Sequence, residues 1–275
     1  MNATVSDVAD WWGTSICRME PGVVELRGIP VQDLIGSTGL VATIWLLTRG
    51  ALPEPREAAL LEAALVAAVD HGPQAPSIAI ARMAVTCGVG LNNAIASGVN
   101  ALGDVHGGAG EQCVELLNEI VDRESGGLSL PDAATAVLAE HRAKSRYIPG
   151  FGHRFHPVDP RRDPLLALVD QAVTDGVVAG RHARAARAIE AALDPVPMNI
   201  DGATAVIYAE LGFPPPLARG LFVLSRSVGI LAHAWEESTE GRRNKGPIPP
   251  SILPTYRGHT PAPGPPTQTQ PKPPE

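Results

Sequence analysis

The chain has 275 residues, of which 44% are hydrophobic, enough to bury a substantial core as one large or two modest domains and too many for disorder throughout. Its formal net charge of -7 leaves no basic surface of the kind nucleic acid needs, although local cationic patches can still hold a polyphosphate ligand. Cys17, Cys87 and Cys113 stand at no metal-ligand spacing and are odd in number, which argues against a disulfide framework and for a reducing compartment.

The first ten residues lack a basic stretch followed by an apolar one, so no signal peptide is read there and a cytoplasmic location is expected. Leu40–Leu47 is too short an apolar run to cross a bilayer as a helix, so no membrane partner is expected. Residues 11–36 mix Val, Ile, Leu and Trp with Gly22, Gly28 and Pro30, and read as short strands or an irregular arm, with Trp11 and Trp12 as core or interface anchors. Helical periodicity follows over 39–48 and 56–70, the second placing Leu61, Leu65 and Ala68 on one face. His71-Gly72-Pro73 terminates it. Ser77 is a candidate cap for a helix to about Cys87, and 91–102 reads as a tightly packed helix with Leu91, Ile95, Gly98 and Leu102 on one stripe.

The glycine-rich G-D-V-H-G-G-A-G-E-Q at 103–112 interrupts that helix and sets His106 where a ligand can approach the backbone closely. Further helices are expected at 111–121, at 129–144 from a Ser129 start, from Asp163-Pro164 as cap and first residue, and at 181–193, where Arg181, Arg184 and Arg187 form a solvated or a phosphate-facing stripe. Asp201 opens an apolar helix to about Leu211. After Pro214-Pro215-Pro216, residues 221–237 put Leu224, Val228, Leu231 and Trp235 on a core stripe, with Arg226 and His233 on another face. The last thirty residues hold eleven prolines, and 260–275 reads as a flexible or polyproline-like tail. The class is mainly α.

Three polar islands stand out from this Ala/Leu/Val-rich background: the loop around His106, Gly150-Phe151-Gly152-His153, and Met198-Asn199-Ile200-Asp201. His106 is either an oxyanion donor or a structural histidine in a helix–helix turn. The loop carrying His153, His156, Asp159, Arg161 and Arg162 suits a polycarboxylate or a phosphorylated ligand. Asp201 is either a general acid-base or a helix cap; Arg226, in an apolar helix, must reach solvent, a carboxylate or a ligand. No metal-ligand set, Walker A, G-x-S-x-G or dinucleotide fingerprint is present.

Taken together, V-D-H-G-P at 69–73, G-D-V-H-G-G-A at 103–109, G-F-G-H-R at 150–154, D-P-R at 159–161, N-I-D-G at 199–202 and L-S-R-S-V-G-I-L-A-H at 224–233 make the chain resemble the citrate synthase superfamily, with weaker similarity from Trp12 to Arg257. The resemblance implies an all-α homodimer in which a small domain, 108–215, is inserted into a large domain formed by 1–107 and 216–259, ahead of the tail at 260–275. By the same resemblance, His106 stabilises the thioester enol, Asp201 exchanges the methyl proton and His153 serves the carbonyl or hydroxyl carbon. His71, Arg161 and Arg226 hold carboxylates, and Gly150, Phe151, Gly152 and Arg154 form part of the coenzyme A site.

The short separation of Arg49 from Val69, H-G-P after Asp70 and D-G after Ile200 resemble the citryl-CoA lyase type and the citryl-CoA-cleaving module of ATP citrate lyase. The implied reaction is cleavage of citryl-CoA to acetyl-CoA and oxaloacetate, with no tightly bound cofactor and no metal, and coenzyme A entering only as a thioester substrate or product. Condensation by a citrate synthase or a related 2-oxoacid enzyme is the alternative, and a non-catalytic CoA-thioester-binding protein is a third. No arginine stands beside a proline at 246–250, where synthases carry an intersubunit arginine; Arg243, Lys245 and Arg257 are the substitutes considered. The 153–161 loop is one residue short, so Arg161 competes with Arg162 for the carboxylate role. Deleting 260–275 is expected to leave self-association and citryl-CoA cleavage within a factor of about two, because that segment has no apolar residues to give to a core; loss of cleavage with secondary structure intact would instead make the tail part of the site.

Overall fold

The computed structural model describes residues 5–153, 156–246, 248–249, 251–252 and 255–259. Among them are twelve helices and one small sheet. After α1 (Val5–Trp11), strands β1 (Cys17–Glu20), β2 (Val23–Leu26) and β3 (Ile29–Pro30) pair as an antiparallel meander, with Cys17 opposite Leu26 and Glu25 opposite Pro30. Arg27 ties this arm to the next helices: its guanidinium donates to Ser15 Oγ at 2.7 Å and to the Leu47 carbonyl at 2.7 Å. Trp11 and Trp12 are not core anchors in this chain. Both are exposed and meet each other edge to face at 4.6 Å.

A short α2 (Val31–Leu34) leads to α3 (Leu40–Arg49), which stops where Gly50 takes up a left-handed conformation that a side chain would resist. Arg49 at its end donates to the Gly212 carbonyl at 2.7 Å and lies over Trp45 and Phe213, joining distant parts of the chain. α4 (Pro55–Ala68) opens with a reciprocal Glu54/Glu57 capping box and proline in the first turn, and buries Leu61, Leu65 and Ala68 as its periodicity predicts.

α5 (Pro76–Thr86) starts one residue before the expected cap: Ala75 is the N-cap, Pro76 takes the first position, and Ser77 sits inside the helix, completely buried. α6 (Leu91–Val99) presses against α5 and α12 at Gly98, where a Cβ would come within 2.7 Å of the Ser77 carbonyl. α7 (Ala109–Ser125) is longer than its apolar line implied, and α8 (Leu130–Arg142) is capped by Ser129. α9 (Arg162–Thr174) begins earlier than Asp163-Pro164 suggested, with Arg161 as its N-cap. α10 (Arg181–Ala192), α11 (Ile200–Glu210) and α12 (Pro215–Thr239) complete the set. On α10, Arg187 pairs with Asp170 at 2.7 Å and Arg184 faces Glu124 at 3.8 Å, which favours the solvated-face reading of that stripe.

One apolar cluster joins α7–α11 to Leu60, Leu61 and Leu65 of α4; a second joins α5, α6 and α12 through Ile78, Ala81, Ala94, Ile230 and Ala234. α12 is long and apolar enough to cross a bilayer, yet it packs against α4, α5, α6 and α7. Its buried face is not the expected one. Leu224, Val228, Leu231 and Trp235 are 49%, 56%, 42% and 58% exposed, while Leu221, Ser225, Arg226, Gly229, Ile230, Ala234 and Glu237 face inward. Small and polar residues take the inside because α12 must lie against backbone and ionic groups there, and the large apolar residues remain outside.

Glu237, fully buried, accepts from Arg82 Nε at 2.7 Å and from Lys245 Nζ at 2.7 Å. The C-terminal segment is fastened beside it, since Asn244 and Lys245 donate backbone N–H groups to Thr86. Burial would raise the Glu237 carboxyl, but the hydrogen bonds from Lys245 and Arg82 outweigh it and hold the group below its ordinary value. Glu237→Ala is expected to lower stability by about 3–5 kcal/mol at neutral pH, by stranding two cations, read as a drop in the denaturant midpoint. Because the folded-state pKa is depressed, that contribution is present above the unfolded value and lost as pH falls through the folded one, so wild type and variant should converge in acid.

Candidate active site

Three loops, each set by close backbone contacts, carry the polar groups. The first follows α4. Gly229 of α12 lies so near residue 69 that a Cβ would be 2.3 Å from the Val69 carbonyl, and Arg226 Nε donates to the Ala68 carbonyl at 3.1 Å. Asp70 accepts the Gly72 N–H at 3.2 Å and faces His233 Nε2 at 3.2 Å. These contacts fix the turn that presents His71, whose ring is 5.6 Å from that of His153.

The second loop lies between α6 and α7. Gly103 donates to the His106 carbonyl at 2.9 Å, and Gly107 holds φ at +106°. The imidazole Nε2 receives the Ser77 N–H at 3.1 Å and lies 3.0 Å from Ser77 Oγ. A backbone N–H can only donate, so Nε2 is an acceptor and the neutral ring carries its proton on Nδ1. Burial, assisted by the Arg226 charge, lowers the His106 pKa and favours that neutral form. Ser77 does not cap the helix as the sequence suggested, because the helix starts at Pro76 with Ala75 as its cap, two residues before Ser77.

The third loop is clamped to the head of α11. At Gly150 (φ +84°) a Cβ would lie 2.7 Å from Cys113 Sγ and 2.8 Å from Gly202 Cα, so no side chain fits. Asn199 donates its N–H to the Gly150 carbonyl at 2.9 Å, and Gly152 donates to the Pro197 carbonyl at 2.8 Å. Asn199, not Asp201, is the cap of α11: its Oδ1 accepts the N–H groups of Asp201 and Gly202. Asparagine and aspartate cap comparably well, so the N-I-D-G sequence left the choice open; in the structure Asn199 takes the cap and leaves the following carboxylate free of that role. Burial pushes the half-buried Asp201 above its ordinary pKa, with Asp159 adding to the effect while Arg226, Arg161 and His153 oppose it.

Asp159 organises the remaining groups. Its buried carboxylate takes two hydrogen bonds from Arg161 at 2.9 Å and one from the Ile200 N–H at 3.2 Å, and lies 4.0 Å from His153 Nε2. Burial alone would raise it, but Arg161 holds it at about 2. Of the two competing arginines, Arg161 stays in the cluster and reaches toward the Ala67 carbonyl, whereas Arg162 turns away to Glu190 and Asp163. His153 Nδ1 accepts the His156 N–H at 3.0 Å. Burial and neighbouring cations keep the pKa values of His71 and His153 below the ordinary imidazole value.

A cleft of about 320 Å³ is lined by His71, Ala75, Val105, His106 and His153 among others, and a second of about 510 Å³ by Arg142, Arg146, Phe151, Gly152 and His153 among others. His153 borders both. Asp201 is not among the residues lining either, and is within electrostatic reach of His153, Arg161 and Arg226. Phe151 and Gly152 line the second cleft and Gly150, just before them, is buried; Arg154 is outside the described residues. Of the arm residues, Lys245 is committed to Glu237, and Arg243 and Arg257 are exposed. Among the described residues no group of three potential ligands could hold a metal ion.

The citrate synthase C-terminal domain family matches residues 52–250. The glyoxysomal citrate synthase of Cucurbita maxima is 31% identical over 200 residues, covering 68% of this chain and 36% of that protein. A probable ATP-citrate synthase of Caenorhabditis elegans is 27% identical over 252 residues, 82% of this chain and 22% of that one. The chain thus spans well under half the length of these relatives. Among solved structures, the citryl-CoA lyase of Hydrogenobacter thermophilus superposes with a TM-score of 0.79 at 32% identity, covering 92% of this chain and 97% of that one. The ATP citrate lyase of Methanothrix soehngenii, at 20% identity and a TM-score of 0.76, shares the fold over 94% of this chain and 45% of its own. With the helical architecture and the matched residues in agreement, the chain belongs to the citrate synthase family.

Proposed function

We propose that the protein is a citryl-CoA lyase, cleaving citryl-CoA to acetyl-CoA and oxaloacetate, with His106, His153 and Asp201 handling protons and His71, Arg161 and Arg226 holding carboxylates. The observation that carries the reading is the convergence of three imidazoles, two guanidiniums and one carboxyl of raised pKa from segments far apart in the chain. The near-complete mutual coverage with the citryl-CoA lyase of Hydrogenobacter thermophilus supports the cleaving direction. The site lies between 108–215, read as the small domain, and the 1–107 and 216–259 segments, read as the large one. Closure of the two brings Asp201 to the substrate carbon.

Cleavage begins when His153 takes the C3 hydroxyl proton and the bond between C3 and the thioester-bearing carbon breaks, leaving an enolate. The Nδ1–H of neutral His106 donates to the oxygen on which charge develops. Asp201, whose pKa burial raises, delivers its proton to the terminal carbon and completes acetyl-CoA. His153 Nδ1 accepts the His156 N–H, so proton uptake at that nitrogen requires this hydrogen bond to break when substrate enters. Gly150, Phe151, Gly152 and Arg154 contact the coenzyme A arm. Self-association as a homodimer through the outward apolar stripe of α12 accounts for its exposure, because contiguous large apolar patches on a protein surface mark interfaces.

The same groups also serve condensation, and family membership keeps the synthase reading in view. Incubation with acetyl-CoA and oxaloacetate, and separately with citryl-CoA, followed by chromatography of CoA species and organic acids, decides between them. Cleavage of citryl-CoA without net hydrolysis supports the lyase; accumulation of free citrate supports the synthase. Asp201→Asn should lower turnover about a hundredfold or more while retaining the fold. A raised pKa keeps the acid form present to higher pH, so cleavage should decline as pH rises through it, and the variant should lose that limb. Near-wild-type cleavage by Asp201→Asn removes the residue from this role. For the α12 face, Val228→Asp together with Leu231→Asp should convert a dimer to a monomer by light scattering; a wild type that is already monomeric at micromolar concentration refutes the interface.

A further inference from the structure

Three residues on one face of α12, Arg226, Gly229 and His233, stand against three successive residues of the chain leaving α4. Arg226 Nε donates to the Ala68 carbonyl at 3.1 Å, a Cβ at Gly229 would lie 2.3 Å from the Val69 carbonyl oxygen, and His233 Nε2 is 3.2 Å from Asp70 Oδ1. Steps of three and four residues allow such a row, because they return a helix to the same side. Asp70 then carries the register past His71: its Oδ2 accepts the Gly72 N–H at 3.2 Å, where Gly72 holds φ at +80°. The backbone is thus gripped on both sides of His71.

A solvent-exposed pair of this kind would contribute little. Here, however, Asp70 Oδ1 is buried and makes no hydrogen bond among the described residues, so the His233 ring is the group that answers its charge. His233 Nδ1 is also buried without a hydrogen-bond partner among the described residues; a proton there would be stranded, and the ring presents its N–H at Nε2, toward Asp70. Burial would raise the Asp70 pKa, but the Gly72 N–H and the His233 ring outweigh it and hold the carboxyl below its ordinary value. Arg226 gives only Nε to the Ala68 carbonyl, which leaves its terminal nitrogens for a ligand.

We infer that His233 is a positioning residue for the carboxylate-binding unit: through Asp70 it sets the His71 ring in register with the Arg226 guanidinium, so that the two act on the same ligand. This rests on the reading of His71 and Arg226 as carboxylate holders and adds the residue that aligns them. The effect falls on binding, because His106, His153 and Asp201 are placed by other contacts, with Ser77, the His156 N–H and Asn199.

Isothermal titration of the full chain with oxaloacetate, citryl-CoA cleavage kinetics and hydrogen exchange of the 70–76 segment test the role together. His233→Leu should weaken oxaloacetate binding and raise KM for citryl-CoA by about tenfold each, keep kcat within about threefold of wild type, and speed exchange at the Gly72 amide. His233→Asn, polar but too short to reach Asp70, should repeat the loss. His233→Gln, whose amide nitrogen can replace Nε2, should bring Kd, KM and exchange back to within about threefold of wild type. Unchanged Kd and KM in His233→Leu overturn the proposal, as does an equal loss in His233→Gln, or a fall in kcat with KM unchanged. A wild type that neither binds oxaloacetate nor cleaves citryl-CoA sinks the lyase reading alone; exchange then decides, and unaltered Gly72 protection in His233→Leu overturns the positioning role.

Discussion

The contact on which the candidate site depends is the one between two backbones, Gly150 and Gly202. Neither position has space for a Cβ: one at Gly202 would lie 2.4 Å from the Gly150 carbonyl, and one at Gly150 would strike Cys113 and Gly202. With both side chains absent, the loop carrying His153 lies directly on the first turn of α11, and Asn199 can hold both at once by capping the helix and donating to the Gly150 carbonyl. Any larger residue would separate these elements, and with them the imidazole of His153 and the carboxyl of Asp201. A second backbone contact of the same kind, Gly229 against Val69, sets α12 against the turn of His71.

Charge is organised on this frame in opposition. Asp159 is an anion at neutral pH because Arg161 grips it with a bidentate pair and Ile200 donates a backbone N–H. Asp201, a short distance along the chain from that N–H, has no such pairing among the described residues; burial dominates and its carboxyl moves the other way. The surroundings thereby push the two carboxyl groups of one cluster in opposite directions, Asp159 below its ordinary value and Asp201 above it. The histidines follow the same logic. Burial and the nearby guanidiniums keep His71 and His106 neutral, and the Ser77 N–H selects which nitrogen of His106 bears the proton.

α12 connects this chemistry to the rest of the molecule. Its inner face carries Arg226 toward the site, Gly229 against the His71 turn, Ile230 and Ala234 into the second apolar cluster, and Glu237 into a buried ionic fastening of the C-terminal segment. The large apolar side chains, displaced from that crowded face, point outward. Hydrophobic periodicity alone could not locate the buried side, because it treats the most apolar stripe as the one facing the protein's own core, and here the inner face must accommodate close backbone approach and charge.

Much of the architecture was legible in the residues themselves. Ser129 as a cap, proline at helix starts, the Gly/Pro breaks and the periodicity of α4 mark mainly helical structure, because caps, φ limits and side-chain spacing are local properties. The ordered motifs around His71, His106, His153, Asp201 and Arg226 likewise placed the chain in its family. What only the tertiary structure decided were relations between distant residues: that Ser77 holds His106 instead of capping a helix, that Asn199 relieves Asp201 of capping, that Arg161 stays with Asp159 while Arg162 departs to Glu190, and that the apolar stripe of α12 faces outward. Each depends on which atoms meet across many intervening residues, and on the burial and charge those meetings create. No local pattern carries that information.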